Sequence, residues 1–263
     1  MQHSLRYYTD VTDAQWTVLC KWISKPCSHG RPIVHSRREL INAIFYVART
    51  GCAWRLLPKD FAPWQTVYGY FRQGRIHGLW QRIHDHLREQ VRSMEGRRRQ
   101  PSVAILDSQT VKAAEPGGIR GYDAAKHLTG RKRHLLVDTL GLLWRVGVTA
   151  ASVQDRDGAK PLLAPLAREC TRLRRIWADG GYRGRLVEWV RRLRAQRRIE
   201  LEIVERAEGQ KGFAVLPKRW IVERTFGWLV KWRRLRCDYE RLTATSEAMI
   251  HAAMIGVMLR RIA

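Results

Sequence analysis

The chain has 263 residues, with 49 Lys or Arg against 24 Asp or Glu, a formal net charge of +25 and a sequence pI of about 10.9. This length is sufficient to bury a hydrophobic core in one large domain or two smaller ones. The positive charge exceeds what solubility requires and favours a nucleic acid partner over a wholly solvated basic surface.

Neither hydropathy nor cysteine content indicates a membrane or extracellular protein. The sequence has no uncharged apolar run of about 18 residues, and its first residues, MQHSLRYYTD, lack the apolar core of a signal peptide. The five cysteines are odd in number and include no Cys-x-x-Cys pair, which argues against a disulfide framework and a structural zinc site. We expect a cytoplasmic, nucleoid-associated protein with reduced thiols and no membrane partner.

The N-terminal part carries the signals of helices. A Ser or Thr followed three residues later by Gln or Glu, just before apolar residues at helical spacing, forms a capping box. Two such boxes and two further apolar stripes mark four segments: 12–23, 36–51, 63–71 and 80–91. Pro63 suits the first turn of the third helix, and Gly51 suits the end of the second. We predict a helical domain over residues 1–95 and a basic linker at 96–101.

The second and third helices have the order of a helix-turn-helix motif that reads DNA. The intervening loop, residues 52–62, is long for that motif. A helical bundle whose Trp and Phe side chains form the core explains the same pattern. Both interpretations stay open at the level of sequence.

From Ser102 onwards, short apolar runs alternate with helical patterns. Predicted strands cover 102–106, 133–138, 142–149, 175–178 and 199–204, and predicted helices cover 161–173, 185–196 and 220–234. The second and third strands form a hairpin across residues 139–141. Three initial strands followed by alternating helix and strand predict a mixed α/β sheet covered by helices over residues 102–263.

Two aspartates stand where catalytic ligands are expected in such a sheet. Asp107 and Asp179 each follow an apolar strand directly, and strand ends of this kind face the crevice of an α/β sheet. Mg²⁺ prefers such oxygen ligands. Glu223, on the 220–234 helix, is a candidate third acid, although a surface acid paired with Arg219 or Lys231 is an equal interpretation of that helix alone.

Several other polar residues compete for these roles. Asp138 is the strongest rival, but its place beside the hairpin turn favours turn formation. Asp155 and Asp157 are either ligands or helix caps. His127 and His134 lack ligand spacing and are interpreted as phosphate contacts or structural residues.

Other catalytic chemistries lack their signatures. The sequence contains no Gly-x-Ser-x-Gly elbow, no P-loop and no dinucleotide fingerprint. Metal-assisted phosphoryl transfer fits the acids and the basic charge better. In that chemistry, two ions roughly 3.5 to 4 Å apart activate the attacking oxygen and stabilise the leaving one.

The motifs together resemble the bacterial insertion-sequence transposases with a DDE catalytic domain, in particular the group of insertion sequence five. The resemblance covers nearly the whole chain. It rests on the segments 51–58, 64–68, 107–112 (DSQTVK), 130–141 (GRKRHLLVDTLG), 152–158 (SVQDRDG), 179–184 (DGGYRG) and 219–226 (RWIVERTF).

The resemblance implies an RNase H-like fold in which Asp107, Asp179 and Glu223 are the catalytic and metal-binding residues. It also implies two Mg²⁺ ions, with Mn²⁺ as a substitute, and cleavage of double-stranded DNA at terminal inverted repeats. The freed 3′ hydroxyls then attack target DNA, without a covalent protein intermediate. The family's tyrosine, arginine, glutamate and lysine signature is only partly present, since Leu216 replaces the tyrosine and Lys231 lies one residue late.

Basic residues around these motifs are the expected DNA contacts. Residues 183–236 carry 16 Lys or Arg against 6 acids, a net charge of +10. The predicted phosphate contacts are Lys112, Arg131, Lys132, Arg133, Arg183, Arg219 and Lys231. Two alternatives stay open: an RNase H-like nuclease without strand transfer, and a catalytically silent DNA-binding derivative.

The pairing of two transposon ends implies a homodimer or larger assembly. The apolar run 247–262 indicates a buried helix, with a dimerisation helix as the alternative.

Overall fold

The computed structural model describes residues 6–23, 34–114, 117–193, 199–204 and 218–263. It separates into two compact units. The first contains the described residues up to Leu87 together with Leu229–Arg236 and Ala248–Ala263, and the second contains Arg88–Trp228 and Cys237–Glu247. The predicted domains, residues 1–95 and 102–263 with the linker 96–101 between them, stay a prediction. No helix in the described ranges is long and apolar enough to cross a membrane.

The helices predicted in the N-terminal part are confirmed. They are α1 (Asp13–Leu19), α2 (Arg37–Thr50), α3 (Trp64–Ile76) and α4 (Leu79–Met94). Both predicted capping boxes are present, at Thr12 and at Ser36. Gly51 ends α2 with a φ of 78°, a conformation that favours glycine. Pro63 lies one residue before α3, so it caps that helix instead of entering its first turn.

The core of the first unit is apolar and closely packed. Ile44, Val67 and Phe71 from α2 and α3 are fully buried. The C-terminal helix α9 (Thr243–Ile262) also carries buried residues, such as Met254 at 0% exposure. The predicted burial of this helix within the chain is therefore confirmed.

The second unit is built on one six-stranded mixed sheet. Its strands are β1 (Val103–Lys112), β2 (Gly121–Asp123), β3 (Leu128–Asp138), β4 (Leu143–Ala150), β5 (Arg175–Ala178) and β6 (Glu200–Ile203). β3 pairs antiparallel with β1 along one edge and with β2 and β4 along the other. β1, β5 and β6 are parallel neighbours. This topology confirms the predicted mixed α/β, RNase H-like fold class.

Helices cover this sheet. They are α5 (Asp155–Leu163), α6 (Leu166–Glu169) and α7 (Arg185–Arg192), while α8 (Trp220–Val230) bonds to the turn between β3 and β4. Leu163 of α5 and Leu186 of α7 join Leu106 and Ile176 of the strands in one buried cluster. Since alternate residues of a strand face one side of a sheet, these contacts set the direction of every side chain on β1.

The predictions for β1 and β3 were too short. β1 continues for five residues beyond Asp107 because its polar half pairs with β3, from Ala104↔Asp138 to Lys112↔Gly130. β2 was not predicted, and the start of β3 lies in the segment interpreted as a loop. The predicted first strand ended where its apolar residues end, whereas the backbone pairing of β1 with β3 continues along the polar residues that follow.

The helix that follows β4 begins earlier than predicted. α5 starts at Asp155, contains Pro161 and ends at Leu163, and the separate α6 follows it. Asp155 and Asp157 in its first turn favour a helix start, since acids stabilise the positive end of a helix. α8 ends at Val230 and gives way to a 3₁₀ turn, short of the predicted residue 234. The predicted extension of α7 over 194–196 lies outside the described residues.

Asp138 is a structural residue of the hairpin turn, as its position favoured. It is fully buried, and its Oδ1 accepts the backbone N–H groups of Leu140 and Leu142, each at 2.9 Å. Its Oδ2 forms an ion pair with Arg92, whose side chain is 5% exposed. These bonds occupy both carboxylate oxygens, so Asp138 is not a ligand in an open crevice.

Asp138→Ala should lower the free energy of unfolding by about 3 to 5 kcal/mol, because it leaves the Arg92 guanidinium buried without its partner. Asp157→Ala is the matched control: its ion pair with Lys160 is exposed, so its loss should leave the free energy of unfolding close to that of wild type. Urea unfolding of the three proteins measures both effects. Equal losses in the two variants would contradict the assignment.

Candidate active site

The pairing of β1 with β5 determines where the two aspartates lie. The last parallel pair in register is Ile105↔Trp177. Asp107 and Asp179 each lie two residues after this pair in the sequence. The register therefore brings the two aspartates side by side at the end of β5. Asp107 therefore reaches the crevice from the middle of its strand, and not from the strand end that the sequence indicated.

A single guanidinium contacts both carboxylates. Arg219 Nη2 lies 3.6 Å from Asp107 Oδ2 and 3.5 Å from Asp179 Oδ2. Backbone donors hold the other oxygens: Ser108 N–H donates to Asp107 Oδ1 at 2.7 Å, and Gly181 N–H donates to Asp179 Oδ1 at 2.9 Å. The two acids thus have defined orientations around one positive charge.

The surroundings of Asp107 penalise its negative charge. The pKa of Asp107 is raised to about 6, because burial and, to a smaller extent, the charge of Asp179 raise it more than the Ser108 N–H and Arg219 lower it. A cation between the carboxylates offsets both the burial and the repulsion. Two carboxylates whose negative charges need compensation are suitable oxygen ligands for Mg²⁺ or Mn²⁺.

A further carboxylate, Asp155, borders the pair. Ser108 Oγ donates a hydrogen bond to Asp155 Oδ1 at 2.7 Å, and Lys132 Nζ lies 3.1 Å from the same oxygen. A Cβ placed on Gly181 would lie 3.1 Å from Asp179 Oδ1 and 3.6 Å from Asp155 Oδ2. Both carboxylates therefore face the same small space. Sequence reasoning named Asp155 only as a ligand or a cap; its place in the motif 152–158 was the available signal.

Tyr182 lies within the influence of all these acids. Its side chain is 1% exposed, and its pKa is raised above its usual range by burial and by the charges of Asp107, Asp155 and Asp179. The Tyr182 hydroxyl therefore stays protonated. Tyr182 directly follows the glycine pair of the motif 179–184, and no signal in the sequence assigned it a role of its own.

Glu223 lies on α8, one turn after Arg219. Its backbone N–H bonds to the Arg219 carbonyl at 3.4 Å, and its side chain is exposed. Thr225 Oγ1 and Arg224 Nη2 anchor the helix on the β3–β4 turn, at 2.7 Å from the Gly141 carbonyl and 2.9 Å from the Leu140 carbonyl.

The structure brings Asp107, Asp179 and Arg219 together, but the exposed Glu223 side chain does not join this group. Within the described ranges, no three His, Cys, Asp or Glu side chains are grouped closely enough to hold a metal ion. The role of Glu223 as third ligand stays a proposal. Leu216, at the tyrosine position of the family signature, lies outside the described residues.

Three predicted DNA contacts are buried in β3. Arg131 is 2% exposed, and it pairs with Asp238 at 3.0 Å and donates to the Ile119 carbonyl at 2.7 Å. Arg133 is 1% exposed, and burial lowers its pKa to about 10. Lys132 is 7% exposed, and its Nζ donates to the Val153 carbonyl at 2.9 Å. We correct these assignments: a basic triplet on a central strand is covered on both faces, and its side chains have protein partners.

The remaining predicted contacts lie at the surface. Lys112, Arg183 and Lys231 are exposed, and Arg219 is 23% exposed beside the aspartates. Their roles in DNA binding stay proposals.

The two histidines have different surroundings. His127 is exposed and lies 3.1 Å from the Tyr122 hydroxyl. His134 is fully buried, its Nε2 lies 3.0 Å from Thr149 Oγ1, and burial lowers its pKa to about 4. His134 is therefore a structural residue and not a phosphate contact.

His134 should make stability depend on acidity. Its folded pKa of about 4 lies below the ordinary 6.5, so the unfolded chain binds the proton more tightly. The stabilisation is present above about pH 6.5 and lost as pH falls towards 4, by at most about 3 kcal/mol. In His134→Gln this loss is absent, so urea unfolding from pH 7 to pH 4 should show the wild-type advantage shrinking. A constant difference between the two proteins would contradict this.

Comparisons with known proteins identify the family of this chain. Residues 98–258 match the family described as "Transposase DDE domain", and residues 11–107 match "Putative transposase of IS4/5 family". A protein of Burkholderia cepacia, "Putative transposase for insertion sequence element IS402", is 33% identical over 133 residues, covering 48% of this chain and 59% of that relative. No solved structure gives a significant match. Because the first match covers more than half of the chain, the protein belongs to the insertion-sequence transposases with a DDE domain.

Proposed function

We propose that this chain binds the terminal inverted repeats of its insertion sequence, cleaves the DNA and transfers the 3′ ends to target DNA by metal-dependent phosphoryl transfer. The proposal rests on one observation: Asp107 and Asp179 lie side by side, are partly buried and share Arg219 as a positively charged partner. Membership of the transposase family supports the choice of DNA as substrate.

Asp107 and Asp179 would hold the divalent ions, with Glu223 as the third ligand. When bound, the ions activate the attacking oxygen and stabilise the leaving oxygen of an in-line displacement. The chain itself supplies the orientation: the N–H groups of Ser108 and Gly181 fix one oxygen of each aspartate and leave the other towards Arg219. Pre-set ligands of this kind lower the cost of assembling the reacting groups.

Arg219 supports the assignment of Glu223. Arg219 is the residue before α8, and Glu223 lies four positions later in its first turn, so their side chains lie on the same side of the helix. Because the Arg219 guanidinium already reaches both aspartates, we expect the nearby Glu223 side chain to turn towards the same crevice when metal binds. We expect Arg219 to contact DNA phosphate when the aspartates hold metal.

Double-stranded DNA is the proposed partner, both as transposon ends and as target. The net charge of +25 favours this polyanion, and Lys112 and Arg183 are exposed in the same unit as the acids. Joining two ends to one target implies a homodimer or larger complex on DNA.

Asp107→Asn, Asp179→Asn and Glu223→Gln should each reduce cleavage and strand transfer by more than about 100-fold, because each removes a proposed metal ligand. The substrate is labelled DNA from the sequence flanking the protein's own coding region, with Mg²⁺ or Mn²⁺. Asp157→Asn and Glu188→Gln are matched controls, since both acids are exposed and form ion pairs with neighbours on their own helices.

The products distinguish the candidate functions. Joined strands from wild type and none from the three variants support the proposal. Cleavage without joining favours a nuclease, and intact DNA with tight binding favours a silent derivative. If Glu223→Gln alone keeps wild-type activity, the third ligand is a different residue.

DNA affinity should depend strongly on salt. With about six phosphate contacts, the log–log slope of the binding constant against salt concentration is roughly −5, and Lys112→Ala or Arg183→Ala should each reduce its magnitude by about 0.9. Fluorescence anisotropy between about 50 and 300 mM salt measures the slope. Lys160→Ala is the control, because Asp157 at 2.8 Å already neutralises that lysine. Unchanged slopes in both variants would exclude these two contacts.

A further inference from the structure

We propose that Asp155 is a positioning residue of this active site, which acts through Ser108 to hold the carboxylate of Asp107 in its orientation. This inference rests on the proposed function. It concerns a residue outside the Asp107, Asp179 and Glu223 set.

Ser108 is the physical link. Its backbone N–H donates to Asp107 Oδ1 at 2.7 Å, and its hydroxyl donates to Asp155 Oδ1 at 2.7 Å. Successive side chains of a strand point to opposite faces, so the Ser108 side chain points away from the face of Asp107 and towards α5. A shift of Ser108 would therefore move the donor that fixes Asp107.

Lys132 fixes Asp155 in turn. Its Nζ lies 3.1 Å from Asp155 Oδ1, 2.9 Å from the Val153 carbonyl and 3.8 Å from Asp123 Oδ2. Lys132 is on β3, directly paired with β1, so its position is set by the sheet. Polar contacts thus connect β3 to Asp107 through the side chains of Lys132, Asp155 and Ser108 and the Ser108 N–H group.

The alternative role for Asp155 is stabilisation of the start of α5. Gln154 is the cap of that helix, and Asp155 is its first residue. Within the described ranges, the bonds to Asp155 come from the strand residues Ser108 and Lys132, and none comes from the backbone of α5. Asp157, in the same turn, instead pairs with Lys160 on its own helix and is 53% exposed. The two acids of one helical turn therefore have different partners.

Four variants test the link: Ser108→Ala, Asp155→Ala, their double variant and the matched control Asp157→Asn. Two quantities are measured, namely the affinity of the protein for Mn²⁺, from the electron paramagnetic resonance signal of free Mn²⁺, and kcat and KM for DNA cleavage. Residues that orient metal ligands typically change affinity or activity by about 10- to 100-fold. Circular dichroism and thermal unfolding establish that each variant is folded.

We expect Ser108→Ala and Asp155→Ala each to weaken Mn²⁺ binding and lower kcat by about 10-fold or more, with KM for DNA unchanged. The double variant should be no worse than the poorer single one, because both changes break the same link. Asp157→Asn should behave as wild type. If Asp155→Ala does not fold, Ser108→Ala removes the same hydrogen bond and decides the matter alone.

Two results would overturn the inference. Loss of Mn²⁺ affinity in Asp155→Ala with a wild-type Ser108→Ala would mean that Asp155 acts directly. Wild-type behaviour of both would reduce Asp155 to a helix-start residue. Failure of the proposed function is seen separately, as cleavage that Asp107→Asn leaves unchanged.

Discussion

The parallel pairing of β1 with β5 is the constraint on which the candidate site depends. Because Ile105 pairs with Trp177, two aspartates that are 72 positions apart in the chain come level at the point where β5 ends. Burial and mutual repulsion then make two negative charges costly there, as the raised pKa of Asp107 reflects. Arg219 and the backbone N–H groups of Ser108 and Gly181 compensate these charges. The sheet register thus brings two negative charges together, and the surrounding donors stabilise them.

The basic residues of the chain form two groups, one at the surface and one buried. The first group lies at the surface, where phosphate contacts are proposed, but the triplet 131–133 on β3 is buried and bonded to protein groups. Arg131 bonds to Asp238, and Arg92 bonds to Asp138, so buried cations hold loops and turns around the sheet. A buried charge is stable only with such partners. The net charge of +25 therefore overstates the surface available to DNA.

Family membership and site geometry support each other at different levels of detail. The matches over residues 98–258 and 11–107 assign the chain to the DDE transposases, and they do not assign individual residues. The carboxylate pair, the anchored helix α8 and the Ser108–Asp155–Lys132 contacts supply the residue-level hypotheses. α8 is seated on the hairpin turn by Thr225 and Arg224, which places Arg219 at the acids and leaves Glu223 one turn away.

The sequence by itself determined the local features: both capping boxes, the helical N-terminal part, the hairpin, and the strand before Asp179. These depend on interactions within a few residues, which spacing and residue type record directly. Only the tertiary structure decided that β1 continues past Asp107, that Arg131 and Arg133 are interior residues, and that Asp155 borders the aspartates. Each of these depends on a partner from a distant segment, such as the ladder with β3, the Asp238 carboxylate and the Ser108 hydroxyl. Local patterns cannot contain that information, because charge alone does not reveal whether a side chain will meet water or a buried partner.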